Sequence, residues 1–303
     1  MRRFDNAYLL LTLTAFIWAG NAIAGRFADG HVSPMVLTVL RWTIAVGVVL
    51  PFAWRRLPAE WPTIRANALF LFAMGAVGYT VFNVLLYSAL LYTSAINVTI
   101  EQSAMPLFIF ILSFLLFRQR ATAIQIGGFV LTAIGVTVVA TYGDPFGAIV
   151  GEGGALNRGD ALMLAGAFAY ALYSALLPKK PKMDATVFLL VLMSAALVTA
   201  VAGVAVEAAT LGSIWPSTLQ GWLVVVYAGL FPSVVAQAFF IRGVESVGAN
   251  RAGLFINLVP VFAALLSVLL LGEVLRPFHA VGFVLVVAGV LIAQRTVVRR
   301  AAA

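Results

Sequence analysis

An all-α integral membrane protein, with ten transmembrane helices arranged as two inverted five-helix repeats around a central cavity, is the fold class this chain predicts. Three observations carry that expectation. Of 303 residues, 63% are hydrophobic and 10% charged, against about 25% charged in a soluble domain, and mean hydropathy is +1.05. Apolar runs of about twenty residues recur, each long enough to cross roughly 30 Å of hydrocarbon as a helix. Residues 95–140 also reappear, without a gap, 154 positions later at 249–294.

The runs are continuous and do not alternate, so hydrogen-bond closure inside a bilayer makes them helices, not barrel strands. The predicted spans are 8–27, 33–53, 67–91, 95–117, 121–141, 159–178, 185–207, 219–241, 249–271 and 277–295. In the first, FIWAGNAIAG resembles a signal peptide after Arg2 and Arg3. Nothing folded and water-soluble follows it, so a retained helix is expected. Alternate loops place fifteen Lys and Arg residues on one side and three (Arg26, Arg158, Arg276) on the other, with Arg41 inside a span. By the positive-inside rule both termini are cytoplasmic, in a bacterial inner membrane. The net charge of +8 is thereby topological, and no nucleic-acid partner is implied. The chain has no cysteine, which excludes disulfides and thiolate metal sites. His31 and His279 fall in or near outward loops, so no buried histidine cluster, metal or cofactor is expected.

Within the repeat, Pro106, Ser113, Gly128 and Gly135 meet Pro260, Ser267, Gly282 and Gly289. Leu and Val coincidences are common in apolar sequence, whereas Pro, Ser and Gly matches in register are not. The halves are residues 1–141 and 159–303, joined by a Gly-rich extracytoplasmic linker over 142–158. Five spans per half is an odd number, so the second half enters the bilayer upside down. Inverted repeats place a binding site near the midplane between halves and imply alternating access.

Polar residues inside the spans are the candidate site. In INVTIEQSAMP, residues 96–106, Glu101 lies about six residues into span four, and Arg41 about eight into span two, at similar depth for a 1.5 Å rise per residue. A mid-helix charge costs roughly 2.5–3.5 kcal/mol on insertion scales and usually pairs inside the bundle. An Arg41–Glu101 pair is expected, either as a latch between helices or as a coupling or substrate-binding charge. Pro106 and Pro260 each free a carbonyl one turn earlier, so one kink per half is expected, as hinge, cavity wall or packing kink. Trp18, Asn21, Tyr79, Asn83, Tyr170, Tyr173 and Ser174 share mid-span depth, and Gln237, Asn257 and Ser233 are weaker candidates of the same kind. Aromatics normally anchor at interfaces, so mid-depth ones suggest a polar-lined cavity, the alternative being interhelical hydrogen bonding. Such a lining suits a small amphoteric solute, because aromatic faces accept a ring or an ammonium.

The stretch NLVPVFAALLSVLLLGEVLRPFHAVGFVLVVAGVLIA resembles the EamA signature of the drug/metabolite transporter superfamily. WAGN, SPMVLTVLRW and YSALLYTSAINVTIEQSAMP resemble the corresponding first-repeat motifs. The resemblance covers nearly the whole chain and implies a ten-span carrier of small metabolites, commonly an exporter. It is most similar to the YddG-type aromatic amino-acid exporters, which makes amino acids the first choice of substrate. Other small metabolites or lipophilic cations remain the alternative. One departure stands out: Arg118-Gln119-Arg120 occupies the place of Gly272-Glu273-Val274, so a role for that Glu belongs to the second half alone.

No phosphate-binding G-x-x-x-x-G-K-[ST] loop occurs, which argues against ATP drive; proton antiport and facilitated diffusion both stay open. A membrane-embedded enzyme would need clustered His, Asp or Ser at one depth, and a channel would lack inverted halves, so neither is expected. Oligomeric state is not readable, a monomer being compatible with the sequence: Gly75, Gly78 and Gly203 suit internal packing and dimer contacts alike. Because the chain lacks cysteine, introduced ones are unique probes. In intact cells Lys180→Cys should resist a membrane-impermeant maleimide while Gly151→Cys reacts; the reverse pattern would invert the topology.

Overall fold

Hydrocarbon offers a backbone no hydrogen-bond partner, and the chain answers with helices throughout. The computed structural model describes residues 6–118, 122–144, 157–247, 255–256 and 258–301. Among these, eight helices are long and apolar enough to cross a membrane: α1 (Ala7–Ala28), α2 (Pro34–Ala53), α4 (Ala68–Ala89), α5 (Ala95–Phe117), α6 (Ala123–Ala140), α7 (Arg158–Lys179), α8 (Ala185–Thr210) and α9 (Leu219–Gly243). Two further apolar helices follow, α10 (Val259–Leu271) and α11 (Pro277–Ala301). The sequence reading also passed over α3 (Leu57–Ala66), a Pro-containing helix with no buried residue between α2 and α4.

Helix starts are satisfied locally and from afar. Asn6, Ser94, Thr122, Asn157, Asp184 and Thr218 each cap the helix that follows them, accepting backbone N–H bonds with their side-chain oxygens. Two helices also recruit a carboxylate from the other half of the chain. Glu207, near the end of α8, accepts from Ser33 Oγ at 2.6 Å and from the Met35 N–H at 3.1 Å, closing the start of α2. Glu273 accepts from the N–H groups of Ala95 and Ile96 at 2.9 and 3.2 Å, closing the start of α5. An anion at a helix N-terminus also meets the positive end of the helix dipole.

Contacts between helices come in exchanged pairs. α1 packs on α9 and α10, and α7 packs on α4 and α5; α2 packs on α9, and α8 packs on α4. Glycines mark the close approaches. A Cβ on Gly75 of α4 would lie 2.8 Å from Ala195 Cβ of α8; 154 residues on, one on Gly229 of α9 would lie 2.8 Å from Ile44 Cβ of α2. α6 and α11 cross antiparallel, with Gly135 against Gly282 and Gly128 against Gly289. The remaining glycines weighed for dimer contacts are spent inside the molecule, Gly78 against Tyr173 and Gly203 against Met35.

Regular helix fails at matching places in α4 and α9, and also in a π turn over Ser267–Leu271 of α10 that has no counterpart in α5. α4 carries a wide π turn over Ala76–Val81 and α9 over Phe231–Val235. α5 breaks at Ser103 and Ala104 and resumes at Met105, with Pro106 in its first turn; α10 begins at Val259 with Pro260 in its first turn. Pro is tolerated there because its missing N–H had no helical partner. Both segments end on a left-handed residue, Arg118 (φ 53°) and Gly272 (φ 67°). The Arg/Gly departure in the sequence therefore keeps the backbone turn, with Arg118 in a conformation that disfavours L side chains by about 1 kcal/mol.

Gly135→Leu should destabilise the detergent-solubilised protein by about 1–3 kcal/mol through overpacking against α11. Gly127→Leu, where a Cβ meets nothing within 4 Å, should stay within about 0.5 kcal/mol. Thermal unfolding midpoints compare the two.

Candidate functional site

The irregular turns converge on one hollow. A cavity of about 250 Å³ lies where α1, α2, α4, α5, α7, α9 and α10 meet, space for on the order of twenty waters. Trp18 and Asn21 face it from α1, Arg41 and Trp42 from α2, Tyr79 and Asn83 from α4, Tyr170 from α7, and Ser233 and Gln237 from α9. Tyr79 and Asn83 are followed 154 positions later by Ser233 and Gln237, so the two π turns present equivalent positions to the same space. A π turn releases backbone groups and rotates the following residues, which hydrocarbon tolerates where the helix borders protein or a wet cavity.

Arg41 organises the wall. It is 4% exposed, and its guanidinium is held by a fan of neutral acceptors. Nε and Nη2 donate to Ser233 Oγ at 3.0 and 2.7 Å, and Nη1 donates to Asn83 Oδ1 and to Tyr87 OH. The acceptors are themselves fixed: Tyr87 OH donates to Asn21 Oδ1 at 2.9 Å, Asn83 Nδ2 to the Tyr79 carbonyl at 2.7 Å, and Ser233 Oγ to the Ala228 carbonyl at 2.7 Å. The guanidinium carbon also sits 4.9 Å from the Trp42 ring centroid. Of the five guanidinium hydrogens, this uses four. Trp42 Nε1 is buried without a partner too. The wall thus presents a cation held by neutral acceptors with one hydrogen to spare, beside a stack of Trp42 on Tyr79 at 4.9 Å.

The expected Arg41–Glu101 pair does not form. The ion pair among the described residues is Arg56–Asp184, at 2.8 Å, and Glu101 faces Asp160 of α7. Helix depth was inferable by counting residues, but facing was not: Thr99, Gln102 and Ser103 line the cavity while Glu101, between them, turns away. Tyr173 and Ser174 also lie off the cavity wall. Tyr173 is one ring further out, tilted against Tyr79 at 5.6 Å and Tyr170 at 5.5 Å, and Ser174 is half-buried one residue beyond. Asn257 lies outside the described residues, as does the side chain of Pro106; Pro260 is buried beside Val259, which borders the cavity.

Several wall residues escaped the sequence reading. Trp42 adjoins Arg41 and Gln102 adjoins Glu101, but Phe82 and Phe240 carry no signal that separates them from ordinary apolar core. His279 is the larger surprise. It is 5% exposed, its Nδ1 accepts from the Arg276 N–H at 3.0 Å, and its Nε2 meets Asn97 Oδ1 at 2.9 Å. The proposed outward loop is in fact the first turn of α11, docked on α5.

A profile of the EamA-like transporter family matches residues 5–141 and again 157–294. The chain belongs to the EamA-like transporter family. It is 25% identical over 95% of its length to the transporter YyaM of Bacillus subtilis (strain 168), covering 93% of that protein. It is 29% identical over 98% of its length to a probable terminal-alkyne amino-acid exporter of Streptantibioticus cattleyicolor, covering 97% of it. A crystal structure with 22% identity superposes with a TM-score of 0.62 over 97% of both chains, which supports the fold. This EamA-like chain is accordingly a multi-pass membrane transporter, with its cavity bordered by both matched segments.

Ser233→Ala should leave two Arg41 donors without an acceptor in a buried wall. A loss of about 1–3 kcal/mol is expected, read as a lower unfolding midpoint in detergent; an unchanged midpoint would detach Ser233 from the fan.

Proposed function

We propose that this family member is a secondary carrier exporting small amphoteric metabolites, above all amino acids with a preference for aromatic ones, across a bacterial inner membrane by alternating access. The single observation that carries the substrate class is Arg41, a cation on the cavity wall with no carboxylate partner among the described residues and a hydrogen left to donate. A substrate carboxylate would complete it. The aromatic faces of Trp18, Tyr79 and Tyr170 suit a ring or an ammonium, and the amides of Gln102 and Gln237 add acceptors. The resemblance to a probable amino-acid exporter points the same way.

The exchanged helix contacts, the antiparallel crossing of α6 with α11 and the paired π turns support ten spans in two inverted halves. Rocking one half against the other about the cavity would then expose it to each side in turn. The positive-inside charge distribution supports cytoplasmic termini, and with them an orientation for export.

Counterflow in liposomes tests this reading. Labelled phenylalanine should exchange saturably and be displaced by other amino acids, whereas phenylalanine methyl ester, which lacks the carboxylate, should fail to compete. Arg41→Ala should raise half-saturation about tenfold to a hundredfold, the worth of a charge-assisted hydrogen bond. Equal competition by the ester would overturn the role of Arg41, and linear flux would make the protein a channel.

A further inference from the structure

Two carboxylic side chains are buried outside the cavity wall and used by nothing described so far. Glu101 of α5 and Asp160 of α7 are both 0% exposed. They face each other across the two halves of the chain, and no hydrogen bond of good geometry reaches any of their four carboxyl oxygens from the described residues. The other buried acid, Glu207, and the half-buried Glu273 each accept two N–H or O–H bonds at a helix start. The unpartnered pair is therefore a departure from how this molecule otherwise treats its acids.

The groups packed around the pair do not neutralise it. α7 brings Asp160 itself, with Arg158 exposed at its head; α11 brings His279, and the turn before it Glu273 and Arg276; Tyr142 reaches Thr93 from the end of α6. Arg26 of α1 donates to the Leu90 carbonyl, and α10 and α6 carry no titratable group. Thr93 and Asn97 stand next to Asp160. Asn97 spends one Nδ2 hydrogen on Thr93 Oγ1 at 3.3 Å and its Oδ1 on His279 Nε2, so its second amide hydrogen and the Thr93 hydroxyl are the neutral donors nearest Asp160. The Nδ1 of His279 accepts from the Arg276 N–H, which fixes the hydrogen on Nε2. No cation ion-pairs with either acid among the described residues.

We infer that Glu101 and Asp160 form a proton-binding site that holds one proton between them, and that loading and unloading it drives the carrier. Two like charges in contact and out of water cannot both persist, whereas one shared proton turns two orphaned acceptors into a donor–acceptor pair. The helix ends decide who carries it. Asp160 is the third residue of α7, at the positive end of its dipole; Glu101 is the second-last residue of the Ala95–Gln102 segment, at the negative end. The proton resides on Glu101 and is donated to an Asp160 oxygen. On release it passes to water admitted between the halves, leaving two carboxylates that push α5 and α7 apart. Glu101 shares its turn with the cavity residues Gln102 and Ser103, and its carbonyl accepts the Ala104 N–H inside the break of α5 at 3.0 Å. A change at the pair thus reaches the cavity wall through one turn of backbone. A metal ion would want a fuller shell, and no group of three or more His, Asp or Glu able to hold one occurs among the described residues.

The coupling half of this inference rests on the carrier reading; the proton site itself does not, and the experiment separates them. Infrared spectra of purified wild-type protein at neutral pH should show a buried protonated-carboxyl C=O band that shifts in D2O. Glu101→Gln should remove the band, Asp160→Asn should keep it at a shifted frequency, and Glu101→Asp should restore it. Liposomes loaded with a pH dye should then report proton movement on adding phenylalanine, lost in Glu101→Gln. Absence of the band in wild type, its survival unchanged in both amide variants, or its loss on adding sodium alone would overturn the site. If the band behaves as stated and wild type moves phenylalanine without protons, coupling falls. If phenylalanine is not moved at all, the substrate reading falls and the band still decides the proton site.

Discussion

Inside a bilayer a polar group can turn only to the protein itself or to a water-filled recess, and this constraint shapes the chain at every level. It makes the backbone helical, because a helix closes its own hydrogen bonds. It also makes the places where the helices fail informative. The π turns of α4 and α9 and the break in α5 free backbone groups, and all three abut the same cavity. These three lie where water or neighbouring side chains can meet them, while the π turn of α10 over Ser267–Leu271 lies off the cavity. Helix starts obey the same logic with borrowed groups: Glu207 and Glu273 reach across from the second half to satisfy α2 and α5. Each such cap also ties the halves together near an end of the bundle, leaving its middle to the polar fan.

Arg41 is the severest case of the constraint. A guanidinium out of water costs several kcal/mol unless it is fully engaged, and here four neutral bonds and a Trp42 face do the engaging without cancelling the charge. A carboxylate partner from the protein would have stabilised the helices more directly, at the expense of any attraction for an anionic solute. Neutral acceptors hold the side chain in place and leave its field directed into the cavity. The arrangement spans three helices, α2, α4 and α9, so positions on both matched segments must stay in register for the cation to be accommodated.

How much of this was legible beforehand depends on the kind of information each feature needs. Depth along a span follows from counting at a fixed rise, so Trp18, Asn21, Tyr79, Asn83 and Tyr170 could be grouped from sequence alone, whereas Arg41 was matched in depth only to Glu101. The repeat was legible because Pro, Ser and Gly recur in register, and the shift of 154 continues to relate Gly75 to Gly229 and Arg118 to Gly272, pairs that lay outside the region aligned or behind a residue change. Rotation about a helix axis was not legible. A π turn inserts an extra residue, turning everything beyond it by roughly 100°, and no local motif in AVGYTV announces it. Even on regular helices depth does not give facing, so Glu101 could be placed at the level of Arg41 and still face Asp160, and Tyr173 and Ser174 share a depth with the cavity without lining it. His279 was missed for a related reason: the span was expected to open at residue 277, but nothing in RPFHAVG says that its first turn points inward onto α5.

The two charged features of the core answer the constraint in opposite ways, and the difference bears on what each is for. Arg41 has four of its five hydrogens held by neutral acceptors, so its position is fixed while one hydrogen is left for the cavity. Glu101 and Asp160 have none, so their energy depends on whether a small cation is present between them. A group whose surroundings are complete serves as a fixed reference point for a ligand. A pair whose surroundings become complete only on binding would, on the proton-site proposal, act as a switch. One turn of α5 separates the switch from the cavity wall, and that turn ends where the helix is already broken. A regular helix would transmit a push along its whole length; a broken one lets the short segment Ala95–Gln102 move against Met105–Phe117, which is what a carrier needs to open one side while closing the other.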